Sequence, residues 1–126
     1  MLSNRFNFAY MRSATPNDHS IEKQRQRIHE FINEHPDLPK DFEEVIDNGF
    51  SETDFDGPGI KKILGLVEKG QVGVLIVSDV SRLSRNYIAV GKYIDQVFPA
   101  HGVKFIVAEE ESEEPFIMLR NFQKNR

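Results

Sequence analysis

The stretch that decides the fold is Val72-Gly73-Val74-Leu75-Ile76-Val77, an almost continuous apolar run with four β-branched residues. Such a run is typical of a central strand in a parallel sheet, covered on both faces. Polar residues follow at once, and they include the run Ser81-Arg82-Leu83-Ser84-Arg85-Asn86. Functional side chains gather at the carboxyl ends of strands in such sheets. The segment after Val77 is therefore the first place to look for a site.

Further strands and helices alternate on both sides of this run. Period-two alternation and short apolar runs predict the other strands at residues 6–12, 42–46 and 103–107. Helical spacing predicts helices from a Ser20 cap to His35-Pro36, from Pro58 to Gly70, and from about Asn86 to Pro99. The polar stretch 47–58 is too long for a tight turn and predicts a mobile loop. This order predicts an α/β fold, doubly wound, with a mostly parallel central sheet flanked by helices.

Length and composition bound the domain organisation. The 126 residues suffice for one compact domain, which we place at residues 1–108. We interpret residues 109–126 as an acidic linker and the start of a further helix, truncated from a longer protein. The absence of cysteine excludes disulfides, thiolate metal sites and a cysteine nucleophile. No apolar run is long enough for a membrane span, and no secretory signal opens the chain, so we expect a cytoplasmic protein without a membrane partner.

The net charge of −4 argues against a stand-alone nucleic-acid binder. The acidic excess is local, however, because five glutamates crowd residues 109–114. Basic residues lie elsewhere, in segments 23–27, 82–85 and 120–126. A basic face is therefore compatible with the overall charge. The alternative is that these charges are only solvated.

Arginines follow two of the predicted strands. Arg12 ends the first strand, and Arg82 and Arg85 follow the third. Both loops open on the same edge of a parallel sheet, so the three guanidinium groups are predicted to converge. Their planar donor forks suit a phosphate and would stabilise a transferring phosphoryl group. The alternative is that an arginine pairs with a nearby acid, the candidates being Asp47, Asp54 and Asp79.

Other reaction classes have weaker support. The sequence has no glycine-rich phosphate loop of the common types. The four histidines lack metal-ligand spacing, so no metal site is predicted. Asp79 stands where response regulators carry their phospho-acceptor. That family also needs paired acids after the first strand, where this chain has Arg12-Ser13-Ala14.

Five segments in the same order resemble the serine site-specific recombinases, the resolvase/invertase family. They are Tyr10–Thr15, Ser20–Gln24, Asp47–Thr53, Val77–Asn86 and Asn86–Val103. The last segment is closest to the large serine recombinases and transposon resolvases. The resemblance covers about residues 6–108. Each motif is modest alone, and together they are fairly specific.

This resemblance implies a doubly wound α/β catalytic domain that acts on DNA. Members form dimers and then a synaptic tetramer on two DNA sites. A serine hydroxyl attacks the phosphodiester and forms a 5′-phosphoserine linkage, without metal or nucleotide cofactor. A separate C-terminal domain supplies most of the sequence recognition.

The resemblance also assigns roles to individual residues. Arg12, Arg82 and Arg85 match the family's phosphate-binding and transition-state arginines. Its supporting polar residues correspond to Gln24, Ser51 and Ser81. Ser81 stands where many resolvases have an aspartate, although serine is common there among the large recombinases.

Two positions depart from the family pattern. The nucleophile position is Ala14, and the arginine that usually precedes the proline is Gly57. A methyl group cannot attack phosphorus, so covalent cleavage through position 14 is excluded. Three explanations stay open: a shifted nucleophile at Ser13, an altered sequence, or a catalytically silent relative that serves as an oligomerisation or regulatory module. Ser13 is poorly aimed for the first, since neighbouring residues of a strand point to opposite faces.

Overall fold

The computed structural model describes residues 5–15, 19–49 and 57–108. In that part of the chain a single sheet has the strand order β2-β1-β3-β4, and every neighbouring pair is parallel. The strands are β1 (Phe6–Ser13), β2 (Glu43–Asn48), β3 (Val72–Val77) and β4 (Lys104–Val107). The chain leaves β1 towards one edge and β3 towards the other, so the ends of these two central strands flank a topological switch point.

Helices cover both faces of the sheet. They are α1 (Ser20–Asn33), α2 (Pro58–Glu68), and a helical run made of α3 (Tyr87–Lys92), a π-helical stretch (Tyr93–Val97) and α4 (Phe98–Ala100). A single 3-10 turn, Val80–Arg82, follows β3. The predicted doubly wound α/β fold is confirmed.

Side chains of β1 alternate between two cores. Phe8 and Tyr10 pack with the buried residues of α2 and of the helical run 87–100. Ala9 and Met11 pack on the other face, with the buried side of α1. Alternation therefore continues along the strand and directs the next two side chains, Arg12 and Ser13, to opposite faces.

Asp47 joins β2, β1 and α2 through one buried carboxylate. Its Oδ2 accepts a hydrogen bond from the Tyr10 hydroxyl at 2.7 Å and another from the backbone N–H of Ile60 at 3.0 Å. Its Oδ1 accepts from the backbone N–H of Gly59 at 2.7 Å. The first N–H groups of a helix have no partner within the helix, so this strand residue acts as the cap of α2.

Gly57, which precedes α2, has no room for a side chain. A Cβ placed on it would lie 2.2 Å from Oδ2 of Asp47. Its φ of −72° is open to any residue. Space, and not backbone conformation, therefore accounts for the glycine.

The strand boundaries correct part of the sequence interpretation. β1 continues one residue past Arg12, to Ser13. Asp47 and Asn48, assigned to a loop from their polarity, belong to β2, because they extend its register against Arg12 and Ser13. The rest of the predicted mobile loop, residues 50–56, lies outside the described residues.

The helix ends also differ from the prediction. Ser20 is the first residue of α1 and not its cap. His19 occupies the cap position and makes no side-chain cap bond. Helix α1 ends at Asn33, ahead of the predicted stop. Pro99 lies inside the last helical turn, directly after the π-helical stretch, where its missing N–H interrupts the regular hydrogen-bond ladder.

Alanine substitution at two glycines near α2 tests the Asp47 cap. We expect Gly57→Ala to lower the free energy of unfolding by about 2 kcal/mol, since the Cβ displaces the carboxylate from both the helix start and Tyr10. Gly65 lies within the same helix, and a Cβ added there would meet nothing within 4 Å. Gly65→Ala should therefore raise stability by about 0.5–1 kcal/mol. Urea unfolding measures both, and equal effects of the two substitutions would contradict the steric account.

Candidate functional site at the strand ends

Arg12 fastens the end of β1 to the turn that follows β3. Its side chain is only 2% exposed. Nε donates to the carbonyl of Arg82 at 2.8 Å, and Nη2 donates to the carbonyl of Ser81. The two strand ends are thus brought together as the sequence predicts. The guanidinium of Arg12, however, is engaged at least in part by backbone carbonyls.

Gln24 holds the backbone of the same arginine from the opposite side. Its Oε1 accepts from the N–H of Arg12 at 3.1 Å, and its Nε2 donates to the carbonyl of Arg12 at 2.9 Å. The Gln24 side chain is buried. Arg82 donates to this same carbonyl through Nη1 at 3.2 Å. Helix α1, β1 and the 3-10 turn therefore meet at one residue.

Asp79 organises the turn after β3. Its Oδ1 accepts from the hydroxyl of Ser81, and its Oδ2 accepts from the hydroxyl of Ser78 at 3.2 Å. The Nε of Arg82 lies 3.4 Å from Oδ2. This ion pair is the arginine–aspartate pairing that the sequence left open. Of the other two candidate acids, Asp47 caps α2 instead, and Asp54 lies outside the described residues.

The hydroxyl of Ser13 is directed at its own turn. It donates to the carbonyl of Thr15 at 2.8 Å and accepts from the N–H of Thr15 at 3.3 Å. Ser13 is 1% exposed, whereas Ala14 is exposed. With Ser13 on the α1 face of the sheet and Arg12 on the other, this geometry disfavours a nucleophile shifted to Ser13.

Two further residues that the sequence predicts for the site are Arg85 and Ser51. Arg85 is exposed, three residues beyond Arg82. Ser51 lies outside the described residues. Tyr10 and the two aspartates are the members of this network that the family motifs did not assign to the site. Tyr10 precedes Arg12 by two residues, and that spacing on a strand already indicates a shared face.

A cavity of about 310 Å³ lies elsewhere, between α1 and β2. Ile28, Ile32 and Phe42 line its apolar part, and His29, Lys40 and Glu44 contribute polar atoms. None of the arginines at the strand ends borders it. The cavity and the arginine cluster are separate features.

The described residues contain neither a membrane-spanning helix nor a cluster of metal ligands. Within residues 5–15, 19–49 and 57–108, no helix is long and apolar enough to cross a membrane. In the same ranges, no three histidine, cysteine or acidic side chains are grouped so that they would hold a metal ion.

The sequence as a whole matches a known protein family. The family described as "Resolvase, N terminal domain" matches residues 7–122, most of the chain. The chain belongs to this family. It is thus a resolvase N-terminal domain, the catalytic-type domain of serine recombinases, as the motifs predicted. Comparison with curated protein sequences finds no match.

Solved structures share the fold of this resolvase domain. The N-terminal catalytic domain of TP901-1 integrase is 20% identical, with a TM-score of 0.74 over 96% of this chain and 93% of that one. A resolvase family site-specific recombinase from Streptococcus pneumoniae is 21% identical, with a TM-score of 0.63 over 96% and 87%. The C-terminal catalytic domain of ISC1926 TnpA, an IS607-like serine recombinase, is 20% identical, with a TM-score of 0.64 over 94% and 77%.

The Gln24 clamp can be tested by truncation. We expect Gln24→Ala to lower the free energy of unfolding by about 1–3 kcal/mol, because the buried N–H of Arg12 loses its side-chain acceptor, whereas the Arg12 carbonyl keeps the donor from Arg82. Hydrogen exchange at the Arg12 amide should accelerate in this variant. Gln26 lies on the same helix, is exposed and bonds to Glu30, so Gln26→Ala is the matched control and should change stability by less than about 0.5 kcal/mol. Unchanged Arg12 exchange in Gln24→Ala would contradict the clamp.

Proposed function

We propose that this resolvase-type domain binds the phosphodiester backbone of DNA at the ends of β1 and β3 and takes part in site-specific strand exchange. The observation that carries the proposal is the joining of Arg12 and Arg82, from two different strand ends, in one hydrogen-bonded cluster. Arg85 is exposed, shortly after Arg82 in the chain. The relatives support DNA as the partner, since the structures matched include an integrase and site-specific recombinases.

The three arginines have different roles in this proposal. Arg12 is buried and positions the turn, whereas Arg82 keeps a side chain that is 23% exposed. Arg82 and Arg85 therefore supply the contacts to phosphate, and each presents a charged planar donor fork. The pairing of Arg82 with Asp79 keeps its guanidinium in place before DNA arrives.

The overall charge of −4 bears on the assembly. An acidic domain gains little from long-range attraction to DNA, so a single copy is expected to bind weakly. Homodimers, and a tetramer that joins two recombination sites, would bring several copies of the cluster to the same DNA. We propose that these dimers and tetramers form in the cytoplasm and recombine the DNA of a mobile element.

Salt dependence of DNA binding tests the phosphate contacts. We expect Arg82→Gln and Arg85→Gln each to weaken binding to duplex DNA and to reduce the slope of log K against log salt by about 0.9, the value for one neutralised phosphate. Arg27, on the exposed surface of α1, serves as the control, and Arg27→Gln should leave the slope unchanged. Fluorescence anisotropy over a salt series measures the slopes. Slopes that are the same for all three variants and the parent would refute contact through the strand-end arginines.

A second candidate function is a silent module that assembles with an active recombinase. Ala14 favours this alternative, since it has no hydroxyl at the family's nucleophile position. In this case the chain should form hetero-oligomers with an active serine recombinase and change its recombination rate. Size-exclusion chromatography and a plasmid recombination assay on the mixture check both points. No association and an unchanged rate would remove this candidate.

A further inference from the structure

We propose that Ser81, activated by Asp79, is the hydroxyl nucleophile of this domain in place of the missing serine at position 14. The inference rests on the proposed function, because the electrophile is the DNA phosphodiester held by Arg82 and Arg85. It assigns a reacting atom to a residue that the family resemblance places among the supporting polar residues.

Exposure distinguishes Ser81 from the other serines at the two strand ends. Ser13, Ser78 and Ser84 are 1%, 3% and 0% exposed, respectively, and a phosphate cannot reach their hydroxyl groups without rearrangement. Ser81 is half-buried. Its side chain combines access from solvent with a fixed position in the 3-10 turn.

The contacts of Ser81 match those of an activated nucleophile. Its hydroxyl donates to Oδ1 of Asp79, a carboxylate placed to accept the proton. Its backbone carbonyl accepts from the guanidinium of Arg12, which holds the residue against β1. The remaining oxygen of Asp79 is held by Ser78 and by Arg82. The Ser81 hydroxyl, the Asp79 carboxylate as its base, and Arg82, which orients that carboxylate, are thus in successive contact.

The charge of the cluster suits an anionic substrate. Arg12 and Arg82 contribute two positive charges next to the single negative charge of Asp79. The cluster is therefore net positive before Arg85 is counted. Guanidinium groups at this position stabilise the additional negative charge that develops on a phosphoryl group during transfer.

The proposed step is a transesterification. Oγ of Ser81 attacks phosphorus, so that the Oγ–P bond forms and the bond from phosphorus to the 3′ oxygen breaks. The hydroxyl proton passes to Asp79, and the 3′ oxygen takes a proton from water and leaves as a 3′-hydroxyl. The product is a 5′-phosphoserine linkage. Attack by a 3′-hydroxyl on this linkage reverses the step and rejoins the strand.

A trapping experiment tests the proposal on the whole chain. The probe is a pool of random-sequence DNA duplexes with a 3′-bridging phosphorothiolate at a central position, whose thiolate leaves without needing a proton. We expect a covalent adduct in intact-protein mass spectra, mapped to Ser81 by peptide sequencing. Ser81→Ala should lose the adduct, and Ser84→Ala, which alters a fully buried hydroxyl in the same run, should retain it.

A second variant separates catalysis from a structural role of the Ser81–Asp79 bond. We expect Asp79→Asn to form the adduct about 100-fold more slowly, with Ser81 still the modified residue. An Asp79→Asn rate equal to that of the parent chain would show that the Ser81–Asp79 bond is structural and would overturn activation by Asp79. Thermal unfolding and DNA anisotropy confirm that each variant folds and binds.

The outcomes distinguish this inference from the proposed function. Failure of the parent chain to bind duplex DNA overturns the proposed function and this inference with it. DNA binding without any adduct, or with an adduct on Ser13, Thr15 or another residue, overturns the role of Ser81 alone. An adduct that persists in Ser81→Ala has the same meaning.

Discussion

The buried guanidinium of Arg12 is the interaction on which the site depends. A charged group that is 2% exposed is costly to bury unless its donors are satisfied. Here it donates to two successive carbonyls of the turn after β3, and its own backbone is held by Gln24. Removal of this side chain would deprive those carbonyls of its donors and would leave the turn linked to β1 through the bond from Arg82 Nη1 to the Arg12 carbonyl. Arg12 and Asp79 together hold Ser81 and Arg82 in place.

The sheet topology explains why these contacts form. β1 and β3 are neighbours in the sheet, although α1, β2 and α2 lie between them in the chain. Their parallel pairing places both carboxyl ends at one edge, and each end is followed by a segment that turns away towards a different side. The arginine of one strand can then reach the backbone that follows the other. Domains of this architecture use the same switch point for many chemistries.

Much of the fold can be predicted from the sequence, because the hydrophobic patterns that identify its strands and helices are local. The apolar run Val72–Val77 and the stripes of the helices have periods that identify each element directly. The loop predicted at Asp47 and Asn48 is wrong for a physical reason. These residues are polar because they serve a helix cap and a strand end, and polarity alone resembles a loop. Only the register against β1 shows that they belong to β2.

The candidate site can be predicted from the sequence only in part. The spacing of Arg12 and Arg82 after two strands is enough to predict their meeting, since parallel strand ends share an edge. The hydrogen bonds from the Arg12 guanidinium to backbone carbonyls cannot be predicted from the sequence, because they depend on the detailed path of the turn. The same holds for Asp79, whose partners are set by the conformation of the residues around it.

The crowding between Asp47 and Gly57 also has a consequence for substitutions at these two positions. An arginine at position 57 does not fit the present conformation, because even its first side-chain carbon would meet the carboxylate of Asp47. Any side chain there requires the start of α2 to find another cap. Substitutions at positions 47 and 57 are therefore energetically coupled, and their effects on stability are not additive.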